Sequence, residues 1–282
     1  AILAAAGNSD DNVVFIAAGP YTIDSTTFPA LSASTKGLSI VGAGVGQTIL
    51  NGTSNGSPLT VLQLQRQTDS LSGFTLNVDF TSSFGTGIDL TRGTITNFAI
   101  NQTTAISLGG SNKALEVRAG TTVSDGAVST QGKVSGASFF YGAAVLRRVS
   151  FLGDDLGTGV RVGGSVDATL SKLRIVGYGL GLWVLAGNVE ITDSLIDTQG
   201  LDSSNLAFFL HDQNTGTASA ISVMAARNTI VGTGGAKGIY IDTSEAIDSI
   251  LGSFSDMLVY DNHPSAASWV CSQFAGSTVA VS

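Results

Sequence analysis

The hexapeptide LSGFTL, residues 71–76, recurs along the chain in altered copies and decides the expected fold. Each copy begins with an apolar residue, continues with two polar or small residues and ends with a β-forming triplet. The clearest copies are residues 95–100 (ITNFAI), 146–151 (LRRVSF), 170–175 (LSKLRI) and 191–196 (ITDSLI); looser ones are residues 226–231 (ARNTIV) and 254–259 (FSDMLV). Successive copies begin 24, 51, 24, 21, 35 and 28 residues apart, and the 51-residue step fits two turns. Such a period predicts a solenoid of short strands.

The segments around these copies favour a parallel β-helix over other β architectures. Short runs rich in Val, Ile, Leu, Phe and Thr alternate with Gly, Asn, Asp and Ser, which is typical of strands joined by tight turns. Helical periodicity is scarce, and only residues 1–7 resemble the end of a helix, with Gly7 as its stop. We therefore expect a single all-β domain over residues 1–282, with roughly ten rungs of about 24 residues and a short N-terminal capping helix. The first residues of the copies at Leu71, Ile95, Leu146, Leu170 and Ile191 are predicted to form one inward column.

Two further stretches resemble a known group of proteins. Residues 12–23 (NVVFIAAGPYTI) and 38–50 (LSIVGAGVGQTIL) are similar to the opening rungs of right-handed parallel β-helix proteins of the pectin-lyase-like superfamily. The resemblance extends over residues 1–262 and implies that fold. It leaves the activity open, because the superfamily includes lyases, hydrolases, adhesins, phage spikes and proteins without known activity.

Composition excludes several classes of function. Charged residues make up 12% of the chain and the formal net charge is −8, which disfavours binding to nucleic acid or to an anionic membrane surface. No apolar run approaches the length of a membrane-spanning helix. Cys271 is the single cysteine, so a disulfide framework and a multi-cysteine metal site are excluded. Residues 42–48 (GAGVGQT) approximate a phosphate loop, but no lysine follows, and a turn between rungs is expected.

The resemblance implies two possible sets of catalytic residues, and each set can be compared with the residues of this chain. A polygalacturonase-like hydrolase would need clustered aspartates, a His-Gly pair and an Arg-x-Lys. Asp154 and Asp155 match one aspartate element and are the candidate acid and base. The chain has no His-Gly pair, and Val176 stands where the family has lysine. The alternative interpretation is that Asp154 and Asp155 form a solvated turn at a rung corner.

A calcium-dependent pectate lyase is the second pattern. Calcium needs six or more oxygen ligands. The acidic candidates are Asp154, Asp155, Asp167, Asp193 and Asp197. They are spread over several rungs and no arginine motif accompanies them, so we predict neither a calcium ion nor another cofactor.

The remaining candidates for chemistry are few. His211 and His263 are the only histidines, and both are predicted to lie in surface turns. The neighbouring residues His211 and Asp212 do not make a triad by sequence proximity, because triads are assembled in space. Aromatic residues either fill the core or form a sugar-stacking surface. They are Tyr141, Tyr178, Trp183, Tyr240, Tyr260 and Trp269.

Together these features predict a secreted or cell-surface β-helix that acts as a structural or adhesive interaction module. We expect it to associate end to end, with copies of itself or with adjoining domains of a longer chain. The alternatives are a polysaccharide lyase or glycoside hydrolase, and a module that binds glycans without cleaving them. No cleavage of pectate or neutral glucans is expected, because the sequence offers no acid–base set beyond Asp154 and Asp155.

Overall fold

The computed structural model describes residues 12–24, 37–54, 60–81, 84–104, 112–139, 141–164, 166–198, 205–211, 220–232, 237–243, 249–261, 269–272 and 278–282. Every regular element in these ranges is a β-strand, which confirms the all-β class. Within the same ranges, no helix is long and apolar enough to cross a membrane. The predicted capping helix at residues 1–7 lies outside the described residues, as do Asp212 and His263.

The strands follow one another in short succession along the chain. The first thirteen are β1 (Asn12–Ile16), β2 (Gly19–Asp24), β3 (Leu38–Gly42), β4 (Thr48–Ser54), β5 (Thr60–Leu64), β6 (Ser70–Phe80), β7 (Thr86–Leu90), β8 (Gly93–Gln102), β9 (Lys113–Val117), β10 (Thr121–Ser129), β11 (Ser135–Phe139), β12 (Gly142–Leu152) and β13 (Thr158–Val162). The others are β14 (Val166–Ser171), β15 (Arg174–Val176), β16 (Leu180–Val184), β17 (Gly187–Thr192), β18 (Leu195–Thr198), β19 (Leu206–His211), β20 (Ala220–Ala226), β21 (Thr229–Gly232), β22 (Lys237–Asp242), β23 (Ser249–Ser255), β24 (Leu258–Asp261), β25 (Trp269–Ser272) and β26 (Thr278–Val281).

These strands stack into two sheets that enclose one core. Sheet A has 17 strands and sheet B has nine, which run in the order β25-β22-β19-β16-β13-β11-β9-β7-β5. Every described pairing is parallel and joins a strand to its counterpart in the next rung. The chain therefore forms a parallel β-helix. The nine strands of sheet B correspond to slightly fewer rungs than the ten expected.

The hexapeptide repeat sets the register of sheet A. The predicted inward column exists, and its members pair in order from rung to rung. The column consists of Leu71, Ile95, Val123, Leu146, Leu170 and Ile191, each at most 2% exposed. Val123 supplies the additional turn inside the 51-residue step. Full burial of each such side chain stabilises the fold by about 1.5–3 kcal/mol.

The third residue of each hexapeptide forms a left-handed corner. The corner residues have φ between +50° and +69°, and they are Gly73, Asn97, Asp125, Arg148, Lys172, Asp193, Arg227 and Asp256. Their backbone helps to join the rungs, since Lys172 N donates to Thr192 O at 3.0 Å. Arg148 Nη2 donates to Asp125 Oδ2 at 2.7 Å and holds the pKa of Asp125 at about 2. Each corner turns the strand, so that the fourth and sixth residues of the repeat also reach the core.

The sequence prediction misplaced one repeat, and it placed one turn between rungs that lies within a rung. Ile191 pairs with Ala225, which pairs with Phe254, so the copy assigned to residues 226–231 begins one residue earlier. The slip arises because alanine occupies both positions, and only Ala225 is buried. Residues 42–48 form a turn, in which the N–H groups of Gln47 and Thr48 donate to Gly44 O at 3.0 Å. It joins β3 and β4, which both pair with β6, so the turn lies within one rung and not between two rungs as predicted.

Candidate functional site

The outer face of sheet B carries a continuous column of side chains, one from each of eight successive strands. Trp183, for example, lies between the buried Leu182 and Val184, and alternation along a strand directs it outward. The members pair in order from rung to rung. This outer column consists of Gln63, Asp89, Glu116, Ser138, Arg161, Trp183, Phe209 and Tyr240. With about 4.8 Å between rungs, it extends over about 34 Å.

The N-terminal end of the outer column is a network of ion pairs. Gln63 Nε2 donates to Asp89 Oδ2 at 2.9 Å, and Arg118 Nε lies 3.5 Å from Asp89 Oδ1. Glu116 accepts from Lys113 Nζ at 2.6 Å and from Arg118 Nη2 at 2.5 Å. Burial raises the pKa of Asp89, against the opposing effect of Arg118. Both carboxylates are therefore neutralised by cations of the protein itself.

The C-terminal end of the outer column is aromatic. Trp183 and Phe209 stack with ring centroids 5.9 Å apart, and Phe209 and Tyr240 follow at 5.3 Å. Arg161 lies over the Trp183 ring, with its Cζ atom 4.9 Å from the ring centroid. All four side chains are partly exposed. The rings stack on one another along the column, and the stack ends at one guanidinium group.

His211 and Asp242 lie beside this aromatic surface, two residues further along β19 and β22. They are register partners, with His211 Nδ1 3.3 Å from Asp242 Oδ2. The imidazole stacks on Phe209 with centroids 5.0 Å apart and planes at 8°. The prediction of a surface turn is wrong for His211, because it ends a strand and is half-buried. Its carboxylate neighbour comes from the next rung.

Sheet A presents a different outer face. Its column of outward residues begins with Ser39, Ser70, Thr94 and Thr122, which pair from rung to rung. Ser70 Oγ donates to Ser39 Oγ at 2.8 Å. These short hydroxyl side chains cover the strands without projecting far from them. Sheet A carries ion pairs at its corners, such as Arg148 with Asp125, whereas the row of stacked aromatic side chains is a feature of sheet B.

Asp154 and Asp155 lie outside the outer column, at the corner between β12 and β13. Both oxygens of the Asp154 carboxylate accept from Gly132 N at 2.9 Å. Asp155 has φ +70° and its N–H donates to Gly177 O at 2.7 Å. Both side chains are exposed. Their contacts are those of turn residues that connect neighbouring rungs.

The other sequence candidates are dispersed. The five acidic residues considered for calcium form no cluster, and the described part of the chain holds no group of three His, Cys, Asp or Glu side chains suited to a metal ion. Tyr178 is buried in the core, where its hydroxyl lies 2.9 Å from Thr130 Oγ1. Tyr141 and Tyr260 are exposed, Tyr141 directly before β12 and Tyr260 in β24, and both of these strands belong to sheet A. Among the members of the aromatic set with described side chains, the structure brings Trp183 and Tyr240 together; the side chain of Trp269 is outside the described part.

Sequence reasoning missed Arg161, Phe209 and Asp242, although a signal for the outer column is present. Seven of the nine strands of sheet B contain a tetrapeptide that is opened by glycine or alanine and has an apolar residue at its second and fourth positions. The copies are GIDL (87–90), ALEV (114–117), GASF (136–139), GVRV (159–162), GLWV (181–184), AFFL (207–210) and GIYI (238–241). The third letter is the outer column. This third position holds polar, charged and aromatic residues because its side chain points away from the core.

Comparison with known proteins identifies the fold. No protein-family model and no curated protein matches the chain. A solved structure of ORF18 of Geobacillus virus E2 resembles it with a TM-score of 0.50 and 10% identity, over 95% of this chain and 54% of that one. The Agl-KA catalytic domain has a TM-score of 0.41 and 13% identity, over 100% of this chain and 64% of that one.

A third solved structure, the A-module of the Azotobacter vinelandii mannuronan C-5 epimerase AlgE4, has a TM-score of 0.41 and 16% identity. The match covers 99% of this chain and 92% of that chain. These likenesses concern the fold alone. The protein has a parallel β-helix fold.

Proposed function

We propose that this protein is a secreted or cell-surface β-helix that binds a polysaccharide along the outer face of sheet B. The observation that carries the proposal is the run of Trp183, Phe209 and Tyr240 on three successive rungs. A binding surface for a ligand needs apolar and aromatic area together with a few polar groups that fix orientation. The outer column offers both in its partly exposed part, with the rings of Trp183, Phe209 and Tyr240 beside the guanidinium group of Arg161.

The geometry of the column favours a polymer over a small ligand. Its side chains repeat at the rung spacing of about 4.8 Å, so a chain of sugar rings could meet a new side chain at each step. Trp183 offers an apolar ring, and Tyr240 combines an apolar ring with a polar group, which suits the mixed surface of a sugar. Their rigid stacking also lowers the entropy lost on binding. An adhesive role, as predicted from the sequence, would follow from this binding.

Replacing Trp183 with alanine is expected to lower the affinity for the bound polysaccharide at least tenfold, since large aromatic residues dominate binding surfaces. Affinity electrophoresis against a panel of soluble polysaccharides would identify the ligand, and titration calorimetry would measure the loss. Tyr260→Ala is the matched control, because Tyr260 is 53% exposed but lies on sheet A. Normal binding by Trp183→Ala together with weakened binding by Tyr260→Ala would move the site to sheet A.

His211 and Asp242 favour a second function, an acid–base reaction on the bound polysaccharide. A carboxylate that faces Nδ1 of an imidazole orients the ring and leaves Nε2 for the substrate. This pair borders the aromatic surface through the stack of His211 on Phe209. General acid–base catalysis by such a residue typically accelerates a reaction by about 10²–10⁴-fold.

Depolymerisation of the bound polysaccharide tests this second function. New reducing ends and the ultraviolet absorbance of a new sugar double bond would be followed over time. His211→Gln and Asp242→Asn are expected to reduce turnover by about 10²-fold or more, while binding persists. Asp154→Asn is the control and is expected to keep full activity. Turnover that survives in His211→Gln but is lost in Asp154→Asn would transfer the chemistry to the β12–β13 corner.

A further inference from the structure

Arg161 differs from the other cations that lie on or beside the outer column. Lys113 and Arg118 form ion pairs with Glu116 and Asp89. Arg161 is half-buried, and no carboxylate among the described residues forms an ion pair with it. Its neighbours in the column are Ser138 and Trp183, and neither carries a charge. Its positive charge is therefore not balanced within the outer column.

This arrangement costs free energy in the unbound protein. Burial lowers the pKa of Arg161, and no opposing effect of a nearby carboxylate accompanies it. A charge withdrawn from water without a partner is unfavourable, and an anion at the same place offsets that cost. The Cζ atom of Arg161 lies 4.9 Å from the Trp183 ring centroid, a distance at which a cation–π interaction stabilises the guanidinium group over the ring. The group is thus held in place before any ligand arrives.

We propose that Arg161, held against Trp183, binds an anionic substituent of the polysaccharide, so that the ligand of this protein is an acidic glycan. The inference rests on the binding function proposed above and specifies its ligand class. The planar guanidinium presents donors that match the two oxygens of a carboxylate or of a sulfate group. Because the net charge of the protein is −8, long-range forces repel a polyanion, and recognition depends on this local cation.

Matched charged and neutral polymers provide the test. Polygalacturonate is compared with its carboxyl-reduced neutral counterpart, and dextran sulfate with dextran, to distinguish a carboxylate ligand from a sulfate ligand. The unmodified protein is expected to prefer the charged member of one pair at least tenfold. Arg161→Gln is expected to lose this preference while it still binds the neutral polymer. Arg161→Lys is expected to keep part of the preference, since it retains the charge without the planar fork.

Arg174→Gln is the control, because Arg174 is an exposed cation on sheet A. It is expected to leave the preference unchanged. An equal preference in the unmodified protein and in Arg161→Gln would overturn the acidic-ligand proposal, while loss of binding in Trp183→Ala would still support the binding face. Binding that survives Trp183→Ala would instead overturn the binding face itself.

Thermal unfolding without ligand gives an independent measurement. Removal of an unpaired, half-buried charge is expected to raise the midpoint of unfolding of Arg161→Gln. A lowered midpoint would show that the guanidinium is needed for the packing of Trp183, and would contradict the proposal that it awaits a ligand.

Discussion

Replacing Gly126 with alanine is expected to lower the free energy of unfolding by about 2–3 kcal/mol, although it adds only one methyl group. Gly126 lies directly above Phe98 in the next rung. A Cβ atom at Gly126 would lie 2.2 Å from Phe98 Cε1. The Phe98 ring cannot retreat, since Phe74 stacks on its other side with centroids 6.3 Å apart. A side chain at position 126 and the Phe98 ring would therefore compete for the same space in the core.

A double-mutant cycle separates this shared volume from a general weakening of the strand. Phe98→Leu alone leaves a cavity and destabilises the protein. Combined with Gly126→Ala, it should cost less than the sum of the two single changes, with a coupling energy of about 1–3 kcal/mol. Chemical denaturation of the four proteins would measure the cycle. Additive effects would show that Gly126 is required for its backbone conformation, not for the space above Phe98.

The hexapeptide shows how much of the fold the sequence determines. Its first residue is apolar in all five of the clear copies, because each of these side chains lies in the same buried column. Its third residue has positive φ in eight successive rungs, from Gly73 to Asp256, yet this position holds Gly, Asn, Asp, Lys and Arg. Pairing between rungs compensates the strain, as in Asp193, whose carboxylate accepts from Arg227 Nε at 2.7 Å. The residue types at the third position therefore do not indicate its left-handed conformation. Its place within the repeat does.

The candidate site was less predictable because its residues are joined only by register. His211 and Asp242 are separated by a 31-residue step, which is longer than the regular period of the repeat. The sequence offered Asp212 as the neighbour of His211, but the carboxylate that the structure places beside the imidazole is Asp242 of the next rung. Arg161 and Trp183 likewise meet only when the strands of sheet B are aligned. Trp183 and Tyr240 were among the aromatic candidates, but their grouping with Phe209 required the structure.

The same dependence on register explains a polar position in the core. Asn228 occupies the fourth position of its repeat, where earlier rungs place Phe98 and Val149. It is 2% exposed, and its Oδ1 accepts from Ser194 N at 2.9 Å while its Nδ2 donates to Ile191 O at 2.9 Å. The side chain thus joins two rungs in the place of an apolar contact. A buried amide is tolerated here because both of its polar atoms have partners.

Replacing Asn228 with alanine is expected to cost about 3–5 kcal/mol of stability. The change leaves the buried N–H of Ser194 and the carbonyl of Ile191 without their partners, and each unsatisfied group costs about 1–3 kcal/mol. For a domain of this size, the midpoint of thermal unfolding should fall by on the order of 10 °C.

Asn188→Ala is the matched control, because Asn188 Nδ2 donates to Asp167 Oδ1 at 2.7 Å on the exposed surface of sheet A. Its loss should change stability by less than about 0.5 kcal/mol. Asn228→Leu tests the cause, since leucine fills the volume but restores neither hydrogen bond. If Asn228→Leu is as stable as the unmodified protein, packing and not hydrogen bonding sets the requirement at this position.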